Sequence, residues 1–377
     1  MTNIRVLSVL GTRPEAVKMA PVIKTLAAEP GVDARVCVTA QHRQMLDQVL
    51  DLFEIKPDYD LNLMRPNQSL AGLTAEVMEN LDPVLADEHP DWVLVQGDTT
   101  TVMTAALAAF YRGIRVGHVE AGLRTGDKRQ PFPEEINRRI AGTVADLHFA
   151  PTQLARQNLL HEGVEDGHIR VTGNTDIDAL HMVLKMPAPE GISAKLKDWK
   201  IGAGGNRLVL VTAHRRENFG QPIEDICAAL QTLARDYAGK LHIVYPVHLN
   251  PNIQEPVYRL LGDEASIHLL EPLDYLPMVH FMQAASIVLT DSGGIQEEAT
   301  GLGKPTLVLR EKTERPEGVE AGVLKLVGTD KETIVSESHR LLDNEDEYEK
   351  MAHAANPFGD GHAAERIVNA LLEYNEY

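Results

Sequence analysis

The chain of 377 residues has few cysteines and no long apolar run, and each shortage excludes a class of protein. Cys37 and Cys227 lie far apart in sequence and outside any CxxC pair, so neither a zinc site nor a disulfide framework is expected. No apolar run approaches the ~20 residues that a membrane-spanning helix needs, and the N-terminus lacks the pattern of a signal peptide. We therefore expect a cytoplasmic protein with reduced thiols, no membrane partner and no bound metal.

Positive charge is also scarce. The chain has 36 Lys and Arg residues against 55 Asp and Glu residues, which gives a formal net charge of −19. Because this charge repels phosphate backbones at long range and no basic stripe offsets it, nucleic-acid binding is disfavoured. A small anionic ligand remains compatible with the sequence if a few cations are concentrated at its site.

Short β-branched segments alternate with longer amphipathic segments along almost the whole chain. This alternation predicts α/β architecture with parallel sheets built from right-handed βαβ units. Since single cores stop growing at roughly 250–300 residues, we expect two Rossmann-like, doubly wound domains that face a cleft. The predicted strands are 4–10, 34–40, 92–96, 115–119, 147–150 and 169–172 in the first half, and 207–212, 241–246, 266–270, 286–290, 305–309 and 324–327 in the second.

The two series of strands are separated by a stretch rich in proline and glycine, 185–205. We place the first domain at 1–174 and the second at 175–359, with the linker between about 174 and 205. A helix is predicted from residue 363 to the C-terminus, after the turn signal at 356–359. From its own sequence, this helix could belong to either domain.

The first predicted strand is followed by Gly-Thr-Arg-Pro-Glu-Ala at 11–16, which is not the GxGxxG fingerprint of a dinucleotide-binding turn. Gly11 permits a tight turn, and Arg13 and Lys18 bring cations to the start of a helix. Free backbone N–H groups and the helix dipole favour an anion there. Taken alone, the motif fits an ordinary helix start with solvated charges at least as well.

Four acidic residues in the first half of the chain are candidates for chemistry. Asp98 and Glu120 come after two successive strands, so their side chains should lie at one edge of a sheet. Asp98 could simply cap the next helix, whereas Glu120 follows a buried strand and precedes small residues, which is unusual for a solvated charge. Glu134 and Glu135 fall in the first turn of a helix, where the dipole favours acids in any case.

In the second half, His214 follows the strand 207–212, with Arg215 and Arg216 beside it. A histidine at this position could be an acid–base group or a donor to phosphate oxygens. It is one of 15 histidines, so its position alone carries little weight.

Small residues follow the strand 286–290 and begin a helix. Ser292, Gly293 and Gly294 would offer free N–H groups to a phosphate, and Glu298 could accept hydrogen bonds from ribose hydroxyls. Arg315 supplies a cation after the strand 305–309. The absence of a P-loop and of GxGxxG disfavours an ATPase and a dehydrogenase.

Eight segments, spread over nearly the whole chain, together resemble the non-hydrolysing UDP-N-acetylglucosamine 2-epimerases of bacteria. They are GTRPEAVKMAP at 11–21, TAQHRQML at 39–46, QGDT at 96–99, HVEAGLRT at 118–125, PFPEEINR at 131–138, TAHRREN at 212–218, DSGGIQEEA at 291–299 and KTERPE at 312–317. The resemblance implies a GT-B-type fold, a C-terminal helix (360–377) that packs back on the first domain, and a homodimer. It further implies reversible conversion of UDP-N-acetylglucosamine to UDP-N-acetylmannosamine for polysaccharide synthesis, without NAD or another cofactor.

The resemblance also implies roles for individual residues. The contacts to UDP would be Arg13, Lys18, Ser292, Gly293, Gly294, Glu298 and Arg315. The catalytic groups would be Asp98, Glu120, Glu134 and His214. A second, activating substrate molecule would bind at Gln41, Gln44, Glu134, Arg215 and His248, although Asn67 stands where we expect an arginine of that allosteric site.

Three other functions remain open on the sequence. A hydrolysing epimerase would add water to the same intermediate and release N-acetylmannosamine and UDP. A GT-B glycosyltransferase would use a similar UDP site but would need an apolar or basic acceptor surface. A nucleotide-sugar sensor without catalytic activity would not need three acids near the sugar.

Overall fold

The computed structural model describes residues 4–39, 43–63, 65, 68–202 and 205–375, with the backbone alone at 43, 44 and 375. The chain divides into two compact units, one formed by Met1–His181 with Phe358–Tyr377 and the other by Met182–Pro357. In the described part of the chain, no helix is both long and apolar enough to cross a membrane.

The first unit contains one parallel sheet with helices packed on it. Among the described residues its strands are β1 (Ile4–Leu10), β2 (Val32–Val38), β3 (Tyr59–Asp60), β4 (Trp92–Gln96), β5 (Arg115–Val119), β6 (Leu147–Ala150) and β7 (Ile169–Val171). Their order is β3-β2-β1-β4-β5-β6-β7, so the winding direction reverses between β1 and β4. Ligands of doubly wound sheets bind beyond the carboxyl strand ends at such a reversal.

The helices of the first unit connect these strands. They are α1 (Arg13–Ala28), α2 (Arg43–Leu52), α3 (Leu70–Glu88), α4 (Thr100–Tyr111), α5 (Glu134–Val144), α6 (Gln153–His161) and α7 (Thr175–Leu184), the last of which runs into the second unit. Strand β4 is buried along its whole length, and α4 is rich in buried alanine and threonine. These small side chains let α4 pack closely against β4, α3 and α5 at the centre of the unit.

The second unit repeats the same winding. In the described range it has strands β8 (Arg207–Thr212), β9 (Leu241–Pro246), β10 (Ile267–Leu270), β11 (Ile287–Thr290), β12 (Thr306–Val308) and β13 (Leu324–Leu326), in the order β10-β9-β8-β11-β12-β13. Its helices are α8 (Glu190–Asp198), α9 (Gln221–Asp236), α10 (Pro251–Leu261), α11 (Tyr275–Ala284), α12 (Gly293–Gly301), α13 (Pro316–Glu320), α14 (Lys331–Asp343) and α15 (Glu345–Ala352). Here the reversal lies between β8 and β11.

The predicted fold class, two doubly wound α/β halves, is confirmed, and each predicted strand overlaps an observed one. Strand β3 escapes prediction because a pair of two residues leaves no periodic signal. The stretch 174–205, where we place the linker, holds α7 and α8.

The C-terminal helix, α16 (Ala363–Asn375), belongs to the first unit and packs against α1. The ring of Tyr374 meets the ring of Trp92 edge to face, with centroids 5.2 Å apart. At the other end of α16, the buried carboxylate of Asp178 accepts the backbone N–H groups of Ala363 and Ala364 at 3.2 and 2.8 Å. Asp178 therefore satisfies two otherwise unpaired N–H groups of the first helical turn.

We expect Asp178→Ala to destabilise the docking of α16. The substitution leaves two buried N–H groups without an acceptor, at about 1–3 kcal/mol each. Asp178→Asn is the matched control, because its amide oxygen still accepts one of the two bonds and the loss should be about half. Urea unfolding followed by circular dichroism measures both variants, and equal stability of Asp178→Ala and wild type would contradict this role.

Candidate functional site

The polar side chains of the first unit gather at the carboxyl strand ends where the sheet reverses. The segment 11–13 follows β1, the segment 97–99 follows β4, and Glu120 follows β5. Gly11 is needed here for space, because a Cβ atom would lie 2.5 Å from Oγ1 of Thr101. Its φ is not positive, so close packing against α4 explains the glycine, and a tight turn does not.

Glu120 is the centre of a buried charge cluster. Its side chain is 7% exposed, and its Oε2 lies 2.5 Å from Nζ of Lys18. The amide of Gln96 donates to the same oxygen. Nζ of Lys18 also lies 3.4 Å from the carboxylate of Asp176, whose side chain is 4% exposed. The ammonium that the resemblance assigns to UDP therefore lies between two buried carboxylates and balances their charge.

The backbone of Glu120 is in the left-handed region, with φ of +62°. A residue other than glycine held there costs on the order of 1–3 kcal/mol, and such residues cluster at functional sites. The neighbouring backbone fixes it, since Gly97 donates its N–H to Val119 and Ala121 donates to Phe149, both at 3.0 Å. In this conformation the Glu120 carboxylate makes its ion pair with Lys18.

Asp98 binds Arg138, with its Oδ2 at 2.7 Å from Nη2 and 2.9 Å from Nε. The N-cap of α4 is Thr99, whose hydroxyl accepts the N–H of Val102 at 3.2 Å. The interpretation of Asp98 as a plain helix cap is therefore wrong. The carboxylate is tied to α5 and lies at the strand end.

His118 forms a hydrogen bond to the same loop. Burial lowers the pKa of His118 to about 4, so the imidazole is neutral at neutral pH. Its Nε2 lies 2.7 Å from the carbonyl oxygen of Gly97, whose φ is +84°. The ring thereby donates to the residue that precedes Asp98 and fixes the turn.

The two acids at the start of α5 have different environments. Glu135 is fully buried and accepts the N–H groups of Thr125 and Gly126 at 3.1 and 3.3 Å, with Arg138 at 3.2 Å. It holds the loop that leads into the helix. Glu134 has a buried Oε2 with no hydrogen-bond partner within the described residues. Of this pair, Glu134 is therefore the one with an oxygen open to a further hydrogen-bond donor.

Glu15 is a buried acid for which no role is expected from the sequence. Its Oε2 accepts the N–H of Gly11 at 2.6 Å, its Oε1 accepts the hydroxyl of Thr12 at 3.0 Å, and Thr99 also bonds to it. It thus joins the loop after β1 to the loop after β4. Burial raises the pKa of Glu15 to about 7, against the opposing effect of these donors and with a further rise from Asp98. The spacing of Thr12 and Glu15, a capping-box pattern, was the signal in the sequence.

We expect the buried Glu15 to make stability fall as pH rises from about 4.5 to 7. In this window the folded state retains a proton that the unfolded state has released, because the pKa is raised from 4.5 to about 7 on folding. The total loss for such a shift is about 3 kcal/mol. Glu15→Gln stays neutral, so its unfolding free energy should gain on wild type across this window in urea titrations.

The matched control is Glu79→Gln, at an exposed position of α3. It should follow the wild-type dependence on pH. Parallel profiles for Glu15→Gln and wild type would show that Glu15 is ionised in the folded protein throughout this range.

In the second unit, the polar residues again lie at the reversal of the sheet. His214 follows β8 and Asp291 follows β11. Nδ1 of His214 lies 3.3 Å from Oδ1 of Asp291, which is completely buried. The imidazole of His248 stacks on that of His214, with centroids 5.5 Å apart and planes at 15°. Burial lowers the pKa of His214, while Asp291 opposes this and His248 and Arg215 add to it.

The N-terminus of α12 is capped by Ser292, whose side chain makes no capping hydrogen bond, so the first N–H groups are left for another acceptor. The Arg315 guanidinium packs over Gly293, where a Cβ atom would lie 3.3 Å from Cζ. Nε of Arg315 is 2.5 Å from Oε1 of Glu297, which holds the cation at this end of the helix. Glu298, about one turn after the start of α12, is also buried. A cation and free N–H groups at one helix start suit an anion.

The residues assigned to an activator site are only partly described. Gln41 and Asn67 lie outside the described residues, as does the side chain of Gln44. Arg215 donates its backbone N–H to Asp291 at 2.8 Å, next to the stacked His214 and His248. Over the described residues, no group of three or more His, Cys, Asp or Glu side chains is arranged to hold a metal ion.

Comparison with known proteins identifies the family. The family model described as UDP-N-acetylglucosamine 2-epimerase matches residues 24–372. The chain belongs to the UDP-N-acetylglucosamine 2-epimerase family. This epimerase family is the one that the eight sequence segments predict.

Individual relatives are similar to this chain over nearly its whole length. The chain is 55% identical to a UDP-N-acetylglucosamine 2-epimerase of Salmonella typhimurium, over 98% of this chain and 99% of the relative. It is 52% identical to one of Bacillus subtilis, over 100% and 97%. The crystal structure of the Neisseria meningitidis enzyme bound to UDP-GlcNAc is 49% identical and matches 98% of this chain and 100% of that one, with a TM-score of 0.87.

Proposed function

We propose that the protein is a non-hydrolysing epimerase that interconverts UDP-N-acetylglucosamine and UDP-N-acetylmannosamine at C2. Family membership over 24–372 and relatives of that name support the reaction. The observation that carries the chemistry is that Asp98 and Glu120 follow neighbouring strands, and that α5, which begins at Glu134, is joined to Asp98 through Arg138.

The hydrogen at C2 is difficult to remove directly. It lies next to an amide nitrogen and not next to a carbonyl carbon, so it is barely acidic. Departure of UDP from C1 gives the ring oxocarbenium character, and this acidifies C2. Loss of the proton then yields 2-acetamidoglucal and UDP. Addition of UDP back to C1 with a proton delivered to the other face of C2 gives the epimer.

The first unit provides the acids for this proton exchange. One carboxylate must take the C2 proton and another acid must return one from the opposite face, which requires groups with different proton affinities. Glu120 is paired with Lys18, Asp98 is paired with Arg138, and Glu134 has a buried oxygen without a hydrogen-bond partner among the described residues. Three acids in three electrostatic environments fit such a division of roles. Arg13, at the start of α1, would contact the diphosphate.

The second unit provides groups that suit UDP. The N–H groups at the start of α12, including those of Gly293 and Gly294, and the guanidinium of Arg315 would stabilise the charge on the departing diphosphate. Glu298 would accept hydrogen bonds from the ribose, and His214 would bind or protonate the phosphate oxygens.

The proposal extends to a cytoplasmic homodimer with an activator site, which the resemblance implies. Arg215 and His248 would contribute to that site, next to His214. Sedimentation velocity at micromolar protein tests the dimer. Initial rates at rising UDP-N-acetylglucosamine test activation, which would give a sigmoidal dependence.

We expect turnover in D2O to place deuterium at C2 of both sugars, because elimination exchanges the C2 hydrogen with solvent. Proton NMR of the mixture also separates the alternatives. A hydrolysing enzyme would release free N-acetylmannosamine, and a glycosyltransferase or a sensor would leave the sugar unepimerised. Product that retains the original C2 hydrogen would contradict elimination, and no added nicotinamide should be needed.

We expect Glu120→Gln and Asp98→Asn to lose most of kcat, by about 10²–10⁴-fold, which is the usual contribution of an acid–base group. UDP affinity, measured by calorimetry, should stay within a few-fold, since neither acid is itself assigned to UDP and Lys18, the partner of Glu120, keeps the carboxylate of Asp176. Glu79→Gln on α3 is the control at an exposed site and should keep wild-type kcat. Near-normal kcat in either variant would remove that residue from the catalytic set.

A further inference from the structure

We propose that Asp291 is a positioning residue that holds the His214 imidazole as the Nδ1–H tautomer and leaves Nε2 as the ring's proton acceptor. No role for Asp291 is expected from the sequence. The inference rests on the proposed function only in giving His214 a part in the reaction. The tautomer itself is a property of the free protein.

One oxygen of Asp291 fixes the backbone around the histidine. Its Oδ2 accepts the N–H groups of His214 at 2.7 Å and Arg215 at 2.8 Å, and the side-chain amide of Asn218 at 2.9 Å. Asp291 is 0% exposed and follows β11, which pairs with β8. Its side chain thus connects the end of β11 to the loop after β8. Three donors to one buried oxygen leave the carboxylate with a single orientation.

The other oxygen faces the imidazole. Oδ1 of Asp291 is buried and has no hydrogen-bond partner in the described part of the chain, and Nδ1 of His214 lies 3.3 Å away. A buried carboxylate oxygen without a donor is costly, so a proton on Nδ1 is favoured over a lone pair there. A neutral imidazole carries one N–H only, and this leaves the lone pair on Nε2.

The surroundings keep the ring in place and neutral. His248 stacks nearly parallel to it at 5.5 Å between centroids, which restricts rotation of the ring. Burial, His248 and Arg215 lower the pKa of His214, and Asp291 raises it. Asp291 would therefore also stabilise the charged imidazolium when Nε2 accepts a proton.

The decisive experiment is long-range 1H–15N NMR of the ligand-free protein with 15N-labelled histidine. Subtraction of the spectrum of His214→Gln assigns the signals among the 15 histidines. We expect the shifts of the Nδ1–H tautomer for His214 in the wild-type protein. The Nε2–H tautomer there would overturn the proposal, without need of any Asp291 variant.

Asp291→Asn should invert the tautomer. The amide oxygen would take the place of Oδ2 and accept the same three donors. The amide NH2 group would then point at Nδ1 and donate to it, which moves the ring proton to Nε2. We also expect the pKa of His214 to fall, and kcat to fall by about 10–100-fold or more with KM nearly unchanged.

Asn218→Ser is the matched control. It removes one donor from Oδ2 but leaves Oδ1 and the imidazole as they are, so tautomer and pH profile should match wild type even if thermal stability falls. A loss of stability in Asp291→Asn with the tautomer and the pH profile unchanged would reduce Asp291 to a structural residue. If wild type showed the Nδ1–H tautomer but no epimerisation, the proposed function would fail while this inference stood.

Discussion

The reversal of winding in each parallel sheet determines where polar residues can collect. Between β1 and β4, and again between β8 and β11, successive crossover helices leave in opposite directions, so the carboxyl strand ends are not covered there. The loops that leave these ends carry Asp98 in the first unit and His214 in the second, and Glu120 follows β5, the neighbour of β4. Two sheets of the same winding therefore offer two equivalent positions for functional residues, and candidate site residues of this chain lie at both.

Polar groups at these edges require carboxylates to be wholly or partly buried, which is unfavourable without a partner. The acids have different sets of partners. Glu120 is paired with Lys18, the half-buried Asp98 with Arg138, and Glu135 with the same arginine and two backbone N–H groups. Glu15 is stabilised in part by its proton, since burial raises its pKa to about 7. Partners of this kind fix the geometry of an acid but also occupy it. Glu134 differs from its neighbour Glu135 because its buried Oε2 has no hydrogen-bond partner within the described ranges.

The second unit shows a related division of labour within one residue. One oxygen of Asp291 binds three donors of the loop after β8, and the other faces the ring of His214. The same carboxylate can thus shape a loop and orient a side chain. Gly293 of α12 likewise has two roles. It begins a helix whose free N–H groups favour an anion, and its missing side chain makes room for the guanidinium of Arg315.

Much of the fold was within reach of the sequence. Strands such as β4 and β8 have the predicted bounds because each is a short apolar run between clear turn signals. Eight ordered segments sufficed to predict the family, which the match over 24–372 confirms. They also drew attention to Asp98, Glu120 and His214, because polar residues directly after buried strands are rare without a reason.

What the sequence could not provide is the pairing of side chains that are distant along the chain. The ion pair of Lys18 with Glu120 joins residues that are 102 positions apart in sequence. Asp291 contacts His214, which lies 77 positions before it. Neither pairing leaves a local pattern, since each arises only when parallel strands bring their ends together. Glu134 and Glu135 are adjacent in sequence and identical in type, so only the packing around α5 separates them. The sequence by itself determined the elements, their alternation and the family, because these depend on local periodicity and motif. The tertiary structure alone decided which acids are paired and which remain available, because that depends on distances between loops that the sheet brings together.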